Sequence, residues 1–339
     1  MKVYYIGSGL DGCYYVRCLI PLVNAGWNGE LLSLLDEKKS PQRQYQEVMQ
    51  ADIVVFHRPD TKEKLELAKI LKSLGKKIVF DNDDTFKHIE DLTFNSFLQG
   101  KQKIIEEFIE LSDLVTCTTR KLKEEYLEHN ENVAILKNLV DPSDWEEPKR
   151  NEGEKIRIGL IGSVALNGDY EDVKDVLKQI DEDNRFQLVL FALPPKKEEF
   201  KITRMVHKKE INFWESLKNI EWQPYVLMED YFDTLNDLKL DIAIIPRKDN
   251  YFNECKSNLK FLEMSMLEVP VITNGKTYLE DRDYLLFVDK KDDWLKHLET
   301  LADKKTRRDL GKKAKEYVLK EYNANISNQW EEEYKKLLN

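Results

Sequence analysis

Residues 253–274, NECKSNLKFLEMSMLEVPVITN, gather ammonium groups where a helix should begin. Lys256 and Lys260 are four residues apart, which puts them on one face of a helix. Ser257 or Asn258 can cap that helix, and the free N–H groups of a first turn hold anions. A strand, a loop, a helix start and two lysines together suit a diphosphate. Glu263 follows one turn deeper in an otherwise apolar stretch, where a carboxylate accepting from two vicinal hydroxyls would account for it. An amphipathic helix with solvated lysines fits the same spacing.

Other stretches could do chemistry too. GSGLDGC, residues 7–13, follows the first apolar run, and Gly7, Gly9 and Gly12 permit a tight turn with close approach to a ligand. Their spacing is Gly-x-Gly-x-x-Gly, so one expectation is a dinucleotide site with Asp36 as its ribose-binding acid; the other is a plain strand-to-helix turn. FDNDDTF, residues 80–86, ends a strand with Asp81, Asp83 and Asp84. Like-charged neighbours can raise a carboxyl's pKa and make a general base. Such a cluster can also bind a divalent cation or cap the next helix. We favour Asp81 or Asp83 at the polar end of an acceptor site. His57 and Arg58 end the strand DIVVFHRP, as cleft residues or exposed turn residues. Tyr14, Tyr15 and Arg17 lie on the first helix, where they suit stacking on a sugar or base, or simply pack. The segment 194–210 is basic in parts, as a solvated face or a polyanion contact.

The elements that would position these groups alternate. VYYIG, ADIVVFHRP, KKIVF, LVTCTT and VAILKN read as strands separated by helical stretches, among them residues 61–75 with Gly75 as terminator. After the polar stretch DPSDWEEPKRNEGEK, residues 141–155, the alternation restarts with IRIGLIGS. This predicts an α/β protein of two doubly wound Rossmann-like units facing across a cleft. The expected divisions are 1–145, 146–320, and a terminal helix in 321–339 that returns to the first unit.

Bulk properties exclude several classes. The 339 residues are 41% hydrophobic and 34% charged with net charge −10, which argues against a general polyanion binder. No window reaches eighteen apolar residues and no signal-peptide pattern opens the chain, so we expect a cytoplasmic protein. Four scattered cysteines without a CxxC pair predict reduced thiols, and the five histidines lack metal-ligand spacing.

The segment DIAIIPRKDNYFNECKSNLKFLEMSMLEVPVITN, residues 241–274, resembles the donor-binding segment of GT-B-fold glycosyltransferases, close to the large retaining family of sucrose and lipopolysaccharide transferases. Most of the chain shares the resemblance. IRIGLIGS resembles the first strand and Gly loop of the family's second domain, with Gly162 and Ser163 in the loop. IEWQPYV resembles the aromatic turn where the nucleotide base packs, with Tyr225 there. NVAILKNLVD resembles the strand leading to the interdomain crossing, and ISNQWEEEYKKLL the returning terminal helix.

The resemblance implies an enzyme moving a sugar from a nucleotide-diphosphate donor to a hydroxyl. Glu263 matches the second of the family's two motif glutamates and is implied to bind the ribose. The first falls on Cys255, with Glu254 beside it, so retention and inversion both stay open. A motif reading CKSxxKFLE is similar to polysaccharide-type and phage-encoded members. The family's basic pair after the Gly loop is missing from SVALNGDYED, leaving Lys256, Lys260 and Arg247 to neutralise the phosphates, with Ser257 and Asn258 implied as further donor-binding residues. Asp81 falls where the family often has a catalytic histidine. Gly9, Asp11, Gly12, Tyr14, Arg17, His57, Arg58 and Asp84 are implied on the acceptor side. No cofactor is implied, and a divalent cation is possible but not required. The acceptor is an envelope glycan or, as in phage enzymes, a hydroxymethylated DNA base. Two further expectations remain: an NAD-dependent oxidoreductase or epimerase built on Gly7, Gly9 and Gly12, and a non-catalytic sugar-nucleotide-binding subunit.

Overall fold

The computed structural model describes residues 1–7, 11–24, 30–32, 46–87, 100–162, 168–191 and 208–339. Among them the chain forms two wholly parallel sheets of six strands each. The first holds β1 (Val3–Ile6), β2 (Glu30–Leu32), β3 (Ile53–His57), β4 (Lys77–Asp81), β5 (Leu114–Cys117) and β6 (Val133–Ile135), in the order β2-β1-β3-β4-β5-β6. The second holds β7 (Ile156–Ile161), β8 (Phe186–Phe191), β9 (Ile220–Gln223), β10 (Ile242–Ile245), β11 (Val271–Thr273) and β12 (Leu286–Phe287), in the order β12-β11-β10-β7-β8-β9.

Continuous apolar runs make these strands. β1, β3 and β10 are buried at every residue, as strands covered on both faces must be. The strand order turns back at β1 in the first sheet and between β7 and β10 in the second. Ligand crevices open at the carboxyl ends of strands at such switch points. Register also matters: β3 pairs with β4 so that His57 stands opposite Asp81, bringing two strand ends together.

The expected first helix exists, with a fault in its middle. Gly12–Tyr14 and Ile20–Asn24 are α-helical, while Tyr15–Leu19 form a π-helical turn in which Ile20 N–H donates to the Tyr15 carbonyl. Pro21 has no N–H to give to Arg17, which removes one regular α-helical bond here. Gly7 serves packing: a Cβ there would lie 2.2 Å from the Tyr14 ring. That gives the first glycine of the loop a use that needs no dinucleotide; Gly9 and Asp36 lie outside the described residues.

The linker is pinned to the second sheet's helices. Lys149 N–H donates to Asn236 Oδ1 at 2.8 Å, and Asn151 donates to Asp241 at 2.5 Å. The terminal helix Gln329–Leu338 lies against the first half: the Arg17 guanidinium is 5.3 Å from the Trp330 ring centre, and Gln329 exchanges hydrogen bonds with the Lys137 backbone at 2.9 Å. The four cysteines are unpaired. Among the described residues no helix is long and apolar enough to cross a membrane.

Candidate active site

A cavity of about 530 Å³ lies between the two sheets. The first half lines it with Asp11 and Gly12, which follow β1, and with Asp83 and Asp84, which follow β4. The second half contributes Gly162 after β7, Tyr225 after β9, and Arg247 after β10. It also contributes Lys256, Ser257, Lys260 and Glu263. The structure therefore brings together residues that the sequence singled out on both sides.

Others stand elsewhere, Tyr15 among them. Tyr14, Arg17, His57 and Asp81 are buried beneath the cavity. The Arg17 guanidinium sits 2.5 Å from Asp81 Oδ2 and also donates to the Leu136 carbonyl at 2.5 Å. His57 Nδ1 is 2.9 Å from Asp81 Oδ1, and the Thr116 hydroxyl donates to Oδ2 at 2.6 Å. Burial pushes the Asp81 carboxyl up, but Arg17 and the His57 hydrogen bond outweigh it and hold its pKa at about 2. Asp81 is a structural counter-ion, which corrects the expectation of a general base. Tyr14, Arg17 and His57 are corrected with it: the first helix packs here with Tyr14 and Arg17 buried, and His57, at the buried end of β3, turns to Asp81, so they do not face an acceptor. Arg58 does not line the cavity but reaches Asp83 at 2.5 Å and Asp84 at 2.8 Å. It does so from a left-handed backbone (φ 47°), an arrangement that non-glycine residues adopt only when held there. Burial pushes Asp83 up, yet Arg58 holds it well below the usual carboxylate range. An anion so strongly stabilised is a weak base, which corrects the expectation for Asp83 as well.

On the second half the local geometry differs from the sequence expectation. Lys256 is not on the helix of Lys260. It is the extended cap (φ −63°, ψ 147°) of the short helix Tyr251–Cys255, and the next helix runs Leu259–Met266. Its ammonium reaches 2.5 Å from Asp84 Oδ1 and lies 4.3 Å from the Phe252 ring centre. Neither expected cap forms. Asn258, also outside the cavity lining, donates to Asp281 at 2.8 Å, and Ser257 accepts from Asn138 at 2.9 Å. No side chain caps the helix start, which leaves first-turn donors for a ligand.

Lys260, Glu263 and Tyr231 form a triangle. The Lys260 ammonium is 2.8 Å from Glu263 Oε2 and 2.7 Å from the Tyr231 hydroxyl, which donates to Glu263 at 2.8 Å. Burial disfavours the ammonium, but Glu263 and Tyr231 raise its pKa above the ordinary lysine range. Arg247 is held 3.0 Å from Asp169, which also accepts from Lys248 N–H at 3.0 Å and Asn253 at 2.6 Å. Ser163 lies outside the described residues. Cys255 packs into the core of the first half, and Glu254 turns to Lys276 at 2.9 Å, so neither lines the cavity. Sequence reasoning missed Asp169, Tyr231, Asp144, Trp145 and Phe232, all lining residues. An acid directly after Gly168 and an aromatic pair opening an amphipathic helix were the available signals. Among the described residues no cluster of His, Cys, Asp and Glu could hold a metal ion.

Two Rossmann-like units, each on a parallel sheet, with a cavity between them define the GT-B fold. Residues 174–331 match the family described as glycosyl transferase-like. Whole-chain likeness to solved structures places the rest. Sucrose-phosphate synthase from Thermosynechococcus elongatus covers 100% of this chain and 99% of its own at 14% identity and TM-score 0.70. HepE from Anabaena, in complex with UDP-glucose, covers 99% of each chain at 11% identity and TM-score 0.67. The lipopolysaccharide outer core galactosyltransferase WaaB covers 100% of this chain and 99% of its own at 12% identity and TM-score 0.57. No curated protein sequence matches the chain. The chain has the GT-B fold, and its second half carries the match to the glycosyl transferase-like family.

Proposed function

We propose that the protein transfers a sugar from a nucleotide-diphosphate donor, held by the second half, to a hydroxyl presented by the first. One observation carries this reading: Lys256, Ser257, Lys260 and Glu263 share a single cavity with Asp11, Gly12 and Asp84 from the opposite sheet. The diphosphate docks at the helix start of Leu259–Met266, against Lys256 and Lys260, with Arg247 behind them. Glu263 accepts from the ribose hydroxyls, and Tyr225, 69% exposed at the cavity rim, offers its ring to the base. Catalysis rests on positioning and on stabilising the departing diphosphate through ammonium groups and backbone N–H donors. The likeness to HepE, whose structure holds UDP-glucose, supports a nucleotide sugar as donor.

A thermal-shift screen against UDP-, GDP-, ADP- and TDP-sugars tests it. A donor at a hundred times its dissociation constant stabilises by about 2.7 kcal/mol. A shift for one nucleotide class is expected; the absence of any shift overturns the proposal. The acceptor hydroxyl belongs to a glycan or to a modified DNA base. Only the second predicts affinity for duplex DNA that falls steeply with salt.

A further inference from the structure

The cavity is lined by two unlike groups of residues that meet at Tyr231, whose ring packs edge to face on Phe232 with centres 5.5 Å apart. The group described above holds every cation that lines the cavity, each already paired: Arg247 with Asp169, Lys256 with Asp84, and Lys260 with Glu263. The other group stands where the first helix, the linker and the helix Met228–Asp237 meet, and it is rich in aromatic rings. The Trp145 and Phe232 rings meet edge to face with centres 4.7 Å apart, and Tyr15 lies 5.6 Å from Phe232. Both Trp145 and Phe232 remain partly exposed, so the cluster presents ring surface to the cavity.

Asp144 stands beside Trp145 and also lines the cavity. It differs from its neighbours. Asp11 accepts from Tyr14 N–H, Asp141 from Ser143 and Asn24, and Asp83 and Asp84 are held by Arg58. Asp169 and Glu263 carry the pairs already given. Asp144 Oδ2, by contrast, is buried and accepts no hydrogen bond. Among the described residues no cation lies within ion-pair distance of it. Burial pushes its carboxyl up, while the Tyr15 hydroxyl reaching toward it pulls the other way. A buried acceptor without a donor in a native cavity calls for one from outside.

We propose that Trp145, Phe232 and Asp144 form the acceptor subsite, that its ligand is an uncharged sugar ring, and that Asp144 accepts a hydrogen bond from a ring hydroxyl. This rests on the glycosyl-transfer reading and names the acceptor class for the same site. The chemistry selects the ligand. Aromatic faces take an apolar C–H surface, and a free carboxylate oxygen takes a hydroxyl donor. A pyranose offers both on one rigid body. A phosphate-bearing acceptor would place its charge against Asp144, while every cation lining the cavity is already paired.

Saturation-transfer NMR on the full chain, with and without UDP, uses methyl glycosides of glucose, galactose, mannose and N-acetylglucosamine as probes. Duplex DNA containing 5-hydroxymethylcytosine is the contrasting probe. At least one glycoside should receive saturation from the wild type. Asp144→Asn and Trp145→Ala should each weaken that contact about tenfold, as expected for a lost hydrogen bond to a charged group or a lost ring face. The nucleotide-induced thermal shift should be unchanged in both variants, which also reports that they fold. Glycosides that receive no saturation, contact that survives both substitutions, or binding of the modified DNA in this cleft would each overturn the acceptor assignment. A missing nucleotide shift in the wild type counts against the donor reading alone.

Discussion

The Lys256 ammonium and the Asp84 carboxylate meet 2.5 Å apart, one from each half of the molecule. Arg58 holds the other Asp84 oxygen at 2.8 Å, so the carboxylate is fixed in place as a bridge. In the proposed donor complex a phosphate oxygen would take the place of Asp84 on Lys256. Both side chains keep solvent contact, at 28% and 19% exposure, so the pair itself adds little stability. A diphosphate docked as proposed would compete with Asp84 for the lysine. Lys256→Ala should weaken UDP binding by about tenfold or more, the worth of a charge-assisted hydrogen bond. Asp84→Asn should strengthen it, because the competitor loses its charge. Titration calorimetry with UDP reads both; weaker binding by Asp84→Asn would refute the competition.

Glu263 is expected to serve two roles, which substitutions separate. Only 8% of its side chain is exposed, and it balances Lys260. Glu263→Ala leaves that ammonium in a poorly solvated place without its counter-charge and should cost about 1–3 kcal/mol. Glu263→Gln keeps an oxygen for the Tyr231 hydroxyl and should cost less. Both should weaken nucleotide-sugar binding, since both lose a charged acceptor for the ribose. Melting curves with and without UDP-glucose distinguish the effects. Equal stability of the two variants would show that the Lys260 pairing contributes nothing.

The alternation of strands and helices was legible because parallel strands buried on both faces read as short apolar runs in any sequence. Strand ends were legible for the same reason, and with them Asp83, Asp84 and Gly162. The division of labour within the acid cluster was not. Asp81, Asp83 and Asp84 look alike on paper. Arg17, 64 residues from Asp81, makes one of them a buried counter-ion. The placing of Lys256 was hidden too, since one extended ψ of 147° separates it from the helix of Lys260. Asp144 and Trp145 sat in a stretch whose prolines and charges read as a spacer. Only the contact with Phe232, from a helix more than eighty residues on, turns that stretch into a cavity wall.

Asp81 predicts a distinct acid limb. Its folded pKa of about 2 lies below the ordinary value near 3.9. A carboxyl depressed in this direction contributes fully above the unfolded value and loses the contribution as pH falls through the folded one. The contribution at neutral pH is roughly 2–3 kcal/mol. The wild type should therefore lose stability between about pH 4 and pH 2. Asp81→Asn should be less stable at pH 7 by about 3–5 kcal/mol, because Arg17 is fully buried and keeps its charge. Its acid limb should be shallower. Urea midpoints across this pH range provide the measurement, and parallel limbs would remove Asp81 from the account.

Gly311 decides a sign. It lies inside the helix Lys304–Glu321, where alanine is ordinarily better than glycine by about 1 kcal/mol. Here a Cβ would stand 2.1 Å from the Glu268 carbonyl oxygen. That carbonyl cannot step aside easily. Glu268 has a left-handed backbone (φ 54°) just past the helix Leu259–Met266, its N–H donates to Ser265 at 2.9 Å, and its carboxylate is engaged by Arg150 and by Lys315. The clash is with main chain, so Gly311→Ala must push two helices apart and should destabilise by about 1–3 kcal/mol in spite of helix propensity. One of those helices starts at the proposed diphosphate seat, so UDP affinity should fall as well. Gly12→Ala is the control: its Cβ would meet only Met228 Sδ at 3.9 Å, an ordinary contact, and stability should hardly change. A stabilised Gly311→Ala would mean that the two helices are not in the close contact described.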